Sequence, residues 1–239
     1  MKQILALIAT GIVFSFASCN NSQPVNDETK TKEADAAAPA KAAEPPVFKP
    51  FTVTIVHHKV KDFDKWLTLY QAHDSVRKAY GLTEIGLGRG LDNNNEITVA
   101  FKADDVQKAK EFVQLPSLKE AMQKGGVTGL PAISFITVIR DDNSAIEQKE
   151  RLMISHHVKD FDAWVKVFDS EGKEARAANG LIDRGLARGV DDPNMVYVLF
   201  AVTDMAKAKA RSNSPELKKL MTDAGVDGPP TINFYKLVK

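Results

Sequence analysis

Few side chains in this chain could do chemistry, and most of them come in pairs. His58 and His156 hold matching places in a doubled stretch, His-Lys-Val-Lys-Asp-Phe-Asp-Lys-Trp from His58 and His-His-Val-Lys-Asp-Phe-Asp-Ala-Trp from His156. Neutral imidazole can accept or relay a proton near pH 7, which makes these two the candidate catalytic bases or polar anchors. Arg89 and Arg188 lie in a second doubled stretch, Gly-Leu-Gly-Arg-Gly against Gly-Leu-Ala-Arg-Gly. A buried guanidinium needs a carboxylate or an anionic ligand, so both are candidate ligand-binding residues; an ion pair with Glu84, Asp183 or Glu96 is the structural alternative. Tyr197, opposite Thr98, and Asn233, opposite Ser134, are candidate ligand contacts present in one copy only.

Other chemistries find little support. The pairs His57-His58 and His156-His157 invite a metal, but adjacent strand residues point to opposite faces, so neither pair chelates one ion. One cysteine, Cys19, rules out a disulfide framework and a cysteine-ligated metal cluster. No nucleophile elbow, phosphate loop or dinucleotide fingerprint occurs. No metal and no cofactor is therefore expected. A formal net charge of +1 gives no reason to expect nucleic acid as a partner.

The elements that position these residues are themselves duplicated. Residues 51–140 and 151–239 match along their length, with a single one-residue slip inside the first helix, and 141–150 is a polar linker. Each copy reads as strand, helix, strand, strand, helix, strand. In the first copy, 52–60 alternates and is rich in β-branched residues. Asp62 is a natural N-cap, and Phe63, Trp66, Leu67, Tyr70 and Val76 form a helical stripe running to Gly81. Trp66 and Trp164 fall on this stripe as core anchors. A second strand covers 82–91, a third 96–102 and a last one 132–139. This order is ferredoxin-like. One such module leaves a sheet face bare, and a second module can cover it. The expected fold is α+β, two tandem ferredoxin-like βαββαβ modules forming an intramolecular pseudo-dimeric α+β barrel, so that a monomer acts as its own dimer.

Alternation groups His58 with Val56 and Val60, and Arg89 with Ile85, Leu87 and Leu91. Gly86, Gly88 and Gly90 fall on the opposite face, where small residues would let a helix approach. The Arg face is accordingly expected to look into the space between the sheets.

The His-x-Val-Lys-Asp-Phe-Asp-x-Trp, Gly-Leu-x-Arg-Gly and Ser-Pro-Glu-Leu-Lys-Lys-Leu-Met stretches, with the closing Gly-Val-Asp-Gly-Pro-Pro-Thr-Ile-Asn-Phe, resemble the antibiotic biosynthesis monooxygenase-like domains of the dimeric α+β barrel superfamily. The resemblance covers both repeats. It implies the barrel fold, and it admits cofactor-independent oxygenases, haem-degrading enzymes, cyclases, isomerases and proteins without an assigned activity.

The N-terminus reads as an address. Lys2 precedes an apolar run over 4–16 that is short for a membrane span, and Ala17-Ser18 precede Cys19. This resembles a bacterial lipobox: residues 1–18 as signal peptide, with lipid on Cys19 as the membrane partner. Residues 19–50, rich in Ala, Pro, Lys and Glu, read as a tether. The expected location is the cell envelope, at the outer rather than the inner membrane because Asn20 follows the cysteine. The expected function is binding of a small apolar or anionic molecule between the two sheets. The alternative is a cofactor-independent monooxygenase-, cyclase- or isomerase-like enzyme acting on a small aromatic or polyketide-like substrate.

Overall fold

Alternation along β1 (Phe51–Val60) fixes the architecture. Val53 and Ile55 are buried on one face, while Thr54, Val56, His58 and Val60 are buried on the other, so the middle of this strand has no wet side. A strand buried on both faces needs a layer on each. Helices supply one layer and the second module supplies the other. The structure, a computed structural model, describes residues 48–238; the expected signal peptide, Cys19 and nearly all of the expected tether lie outside them.

In module 1, β1 leads into α1 (Phe63–Ala72) and α2 (Asp74–Ala79), then β2 (Leu82–Gly90), β3 (Glu96–Ala103), α3 (Val106–Val113), α4 (Pro116–Lys124) and β4 (Val127–Asp141). Module 2 repeats the order with β5 (Glu150–Val158), α5 (Phe161–Glu171), α6 (Lys173–Ala178), β6 (Leu181–Gly189), β7 (Met195–Val202), α7 (Met205–Ser212), α8 (Pro215–Asp223) and β8 (Val226–Leu237). Asp62 and Asp160 cap α1 and α5 by accepting backbone N–H bonds from the first turn.

The sheet orders are β4-β1-β3-β2 and β8-β5-β7-β6, and the edges pair crosswise, β2 with β8 and β4 with β6. All eight strands close into one barrel, which leaves no open edge. This is the expected pair of ferredoxin-like modules acting as an internal pseudo-dimer. The expected single first helix is in fact two, broken at His73 in module 1 and at Gly172 in module 2. Gly172 takes φ +82°, a conformation costly for other residues, and α5 is one residue longer than α1, which accounts for the slip between the copies.

Each module has its own core between sheet and helices. Val56, Trp66, Ile97, Val99, Phe101 and Phe112 build the first; Leu152, Trp164, Val196, Val198 and Phe200 belong to the second. A third, smaller cluster lies inside the barrel, with Val53, Ile55, Ile136, Val138 and Ala187.

Candidate functional site

His58 leaves β1 on the helix side, not toward the barrel lumen, and packs against Trp66 of α1 with ring centroids 5.4 Å apart. His156 does the same against Trp164 of α5 at 5.3 Å. Both histidines are 5% exposed, and all four of their ring nitrogens are buried without a hydrogen-bond partner. Burial lowers each pKa to about 4, with His57 adding a smaller push in the first case, so both rings are neutral at pH 7. Leaving a buried polar group unsatisfied costs about 1–3 kcal/mol, and this fold carries that cost in both halves.

Each histidine lines a small cleft between sheet and helices. The first, of about 70 Å³, is walled by Trp66, Tyr70, Phe101, Phe112, Leu118 and Met122. The second, of about 80 Å³, is walled by Trp164, Phe168, Phe200, Leu217, Leu220 and Met221. The outer wall of each is the short helix α4 or α8, and neither of these helices fully buries a single residue. Elements with so little buried surface open most readily.

An arginine that the sequence reading passed over closes one side of each cleft. Arg77 lies with its guanidinium 3.9 Å from the centre of the Tyr70 ring, and its Nη1 donates to the Tyr70 carbonyl at 2.6 Å. Arg176 lies 4.0 Å over Phe168 and donates to that residue's carbonyl at 2.8 Å. The acids differ in partner. The Tyr70 hydroxyl donates to Glu84, whereas Phe168 has no hydroxyl and Asp183 instead accepts two bonds from Arg176, at 2.8 and 2.7 Å. The signal in the sequence is an arginine repeated at the ninety-nine-residue offset in a segment read only for its apolar stripe.

The expected orientation of Arg89 and Arg188 is reversed. Both lie on the helix side, stacked over Phe63 at 3.9 Å and Phe161 at 4.2 Å, and their Nε atoms donate to the carbonyls of Asn94 and Pro193. They staple the β2–β3 and β6–β7 turns to the first helix of each module. None of the acids proposed as partners pairs with them, since Glu84 takes Tyr70, Asp183 takes Arg176 and Glu96 takes Lys59. The glycine face looks into the lumen, and the reason is visible at Gly88. A Cβ there would lie 2.2 Å from the Tyr235 ring, so the small residue makes room for a side chain across the lumen, not for a helix. A register shift between Glu84 and Gly86 also breaks the alternation assumed for Ile85, and the matching shift between Asp183 and Gly185 separates Arg184 from Arg188.

Tyr197 packs against the apolar cluster inside the barrel, and the Asn233 amide donates to the Thr98 hydroxyl at 3.0 Å, which also meets His57 Nδ1 at 3.0 Å. The sheet thus separates the predicted site residues: histidines and arginines outside it, Tyr197 inside. Among the described residues no cluster of three or more metal-ligating side chains forms.

No family model matches the sequence, and no curated protein matches it. Solved structures do match the fold. A monooxygenase candidate from Fusobacterium nucleatum superposes with TM-score 0.51 at 11% identity, over 80% of this chain and 93% of that one. An anthrone oxidase-like protein superposes with TM-score 0.53 at 15% identity, over 79% and 92%. A ferredoxin-fold protein from Listeria monocytogenes, described as related to antibiotic biosynthesis monooxygenases, gives TM-score 0.46 at 8% identity, over 80% and 97%. At these identities, what this chain shares with the solved structures is the fold.

Proposed function

We propose that the folded part of this chain binds a small planar apolar molecule bearing one hydrogen-bonding group, in two equivalent clefts. The observation that carries this reading is the pair of buried, unpartnered histidines. Module 2 differs from module 1 at many lumen positions, yet both keep the same unsatisfied imidazole against the same tryptophan. The walls are aromatic and aliphatic, so a hydroxyl or carbonyl on the guest would be the natural partner for the imidazole. At about 70 and 80 Å³ the closed clefts are well below the ~300–1,000 Å³ of ordinary ligand pockets, so entry requires α4 or α8 to lift.

Titration of the full chain with phenol tests this reading. Two sites per chain are expected, one lost in His58→Phe and the other in His156→Phe. Saturable binding that both variants retain, or its absence in the wild type, contradicts it.

An enzyme of the cofactor-independent kind is the second reading, favoured by the same neutral imidazoles, which could take a proton from an ionising substrate hydroxyl. In that case an aromatic substrate would be consumed with oxygen uptake, whereas a binder returns it unchanged.

The lipobox-like Ala17-Ser18-Cys19 supports placing the protein on an envelope membrane through lipid on Cys19, with residues 19–50 as tether. Cys19→Ala should move the protein from the membrane to the soluble fraction. Continued membrane association of that variant would remove the support for a lipid anchor.

A further inference from the structure

The barrel encloses a second space on the other side of the sheet from the clefts, with a volume of about 430 Å³. Its two walls come from different modules and differ in kind. Module 1 presents Val53, Ile55, Ile136 and Val138, all buried and all aliphatic. At matching positions module 2 presents Arg151 for Val53 and Tyr235 for Ile136, and Arg184 stands where module 1 has Ile85. The fold does not require these polar residues, since module 1 makes the same sheet with aliphatic ones. They are additions to a lumen that would close as well without them.

Arg151 is the least compensated of these additions. It is 9% exposed, and its Nη1 donates only to the backbone carbonyls of Gln148 at 2.7 Å and Glu150 at 3.1 Å. The neighbouring charges are engaged elsewhere. Asp142 faces Arg184, whose Nη2 also donates to the Ser144 carbonyl, and Glu150 pairs with Lys236 at 3.0 Å. Asp141 at the mouth is exposed, and Lys102 lies over the Phe51 ring. No carboxylate among the described residues comes within ion-pair distance of Arg151. Burial holds its pKa below the ordinary value, yet a guanidinium does not give up its proton, so the charge stays.

Tyr235 is paired with Arg151 directly across β5 and β8, which puts both side chains on the lumen face as neighbours. Its ring occupies the space a Cβ on Gly88 would need, at a position Ala187 holds in module 2, and burial raises its pKa to about 12, so the hydroxyl remains a donor. Among the described residues that hydroxyl has no hydrogen-bond partner. The lumen therefore offers an aliphatic wall facing a cation and a donor. We propose that it is a single binding site for an amphipathic monocarboxylate, whose apolar body lies against Val53, Ile55 and Ile136 and whose carboxylate is met by Arg151 and the Tyr235 hydroxyl.

The site is separate from the clefts and calls for a different guest, one per chain and anionic. Calorimetric titration of the full chain with 4-phenylbutyrate, and with 4-phenylbutanamide as its neutral counterpart, tests it. One site per chain is expected, with the amide bound at least tenfold more weakly and with phenol unable to displace the acid. Arg151→Val restores the residue of module 1 and should remove the preference for the acid while leaving the weaker amide binding in place. Should Arg151→Val not fold, Ala100→Phe, which fills the lumen, should abolish binding of both compounds. Equal affinity for acid and amide, two sites per chain, displacement by phenol, or an undiminished preference in Arg151→Val would overturn the proposal. Phenylbutyrate binding in a protein that ignores phenol would sink the cleft reading and leave this one standing.

Discussion

The imidazole of His58 packs 5.4 Å from the ring of Trp66, and no atom of the described protein satisfies either of its nitrogens. His156 and Trp164 repeat the relationship within 0.1 Å. The doubled sequence stretch is thus a strand-to-helix junction in which the strand sets a histidine beneath the tryptophan of the helix.

Acid should destabilise the protein before its carboxylates titrate. Both histidines have a folded pKa of about 4 against an ordinary 6.5, so between these values the unfolded chain binds more protons than the folded one. Their contribution to stability is complete above pH 6.5 and is lost as pH falls toward 4, by roughly 3 kcal/mol per histidine at the limit. Urea denaturation at pH 7, 5.5 and 4.5 checks this. The decline between pH 7 and 4.5 should be much smaller in the double variant His58→Phe, His156→Phe.

Arg176 should matter more to stability than Arg77. Its guanidinium holds both oxygens of Asp183 and lies 3.5 Å from Glu171, all largely buried. Arg176→Met strands Asp183, while Glu171 keeps Arg211 at 2.6 Å, and should cost about 3 kcal/mol. Arg77 has only the half-exposed Asp74 at 3.4 Å as an ionic partner, and Arg77→Met should cost clearly less. Thermal melts of the two variants decide the order, and adding Asp183→Asn to Arg176→Met should recover part of the loss.

Gly88→Ala should destabilise by about 1–3 kcal/mol, because the added methyl would lie 2.2 Å from a carbon of the Tyr235 ring. Tyr235→Ala in the same chain should make the glycine change nearly free, giving a strongly non-additive double-mutant cycle.

The fold was legible because two copies of one pattern check each other. Period-two burial in β1, the capping Asp62 and Asp160 and the positive-φ Gly81 and Gly180 each recur at the repeat offset. The face shared by His58, Val56 and Val60 was legible for the same reason. Which side of the sheet a face looks toward was not, because alternation groups residues without saying which layer covers them. That is why Arg89 was expected in the lumen and lies over Phe63 instead. Two further features escaped the reading. The bulges at Ile85 and Arg184 leave no mark in a strand pattern, and an arginine on an amphipathic helix looks like a solvated one until Arg77 and Arg176 are seen at 5% exposure. Arg151 was recoverable, since an arginine aligned with the valine of a doubly buried strand already signals an unusual lumen.

Native mass spectrometry of the full chain purified from its own cells tests the central claim most directly. If the clefts exist for a guest, the wild-type protein should carry up to two copies of one small molecule, and the double variant His58→Phe, His156→Phe should carry none while melting at a temperature at least as high. A wild-type chain that is empty in repeated preparations, with a double variant of equal or lower stability, would contradict it, because the histidines would then be ordinary parts of the core.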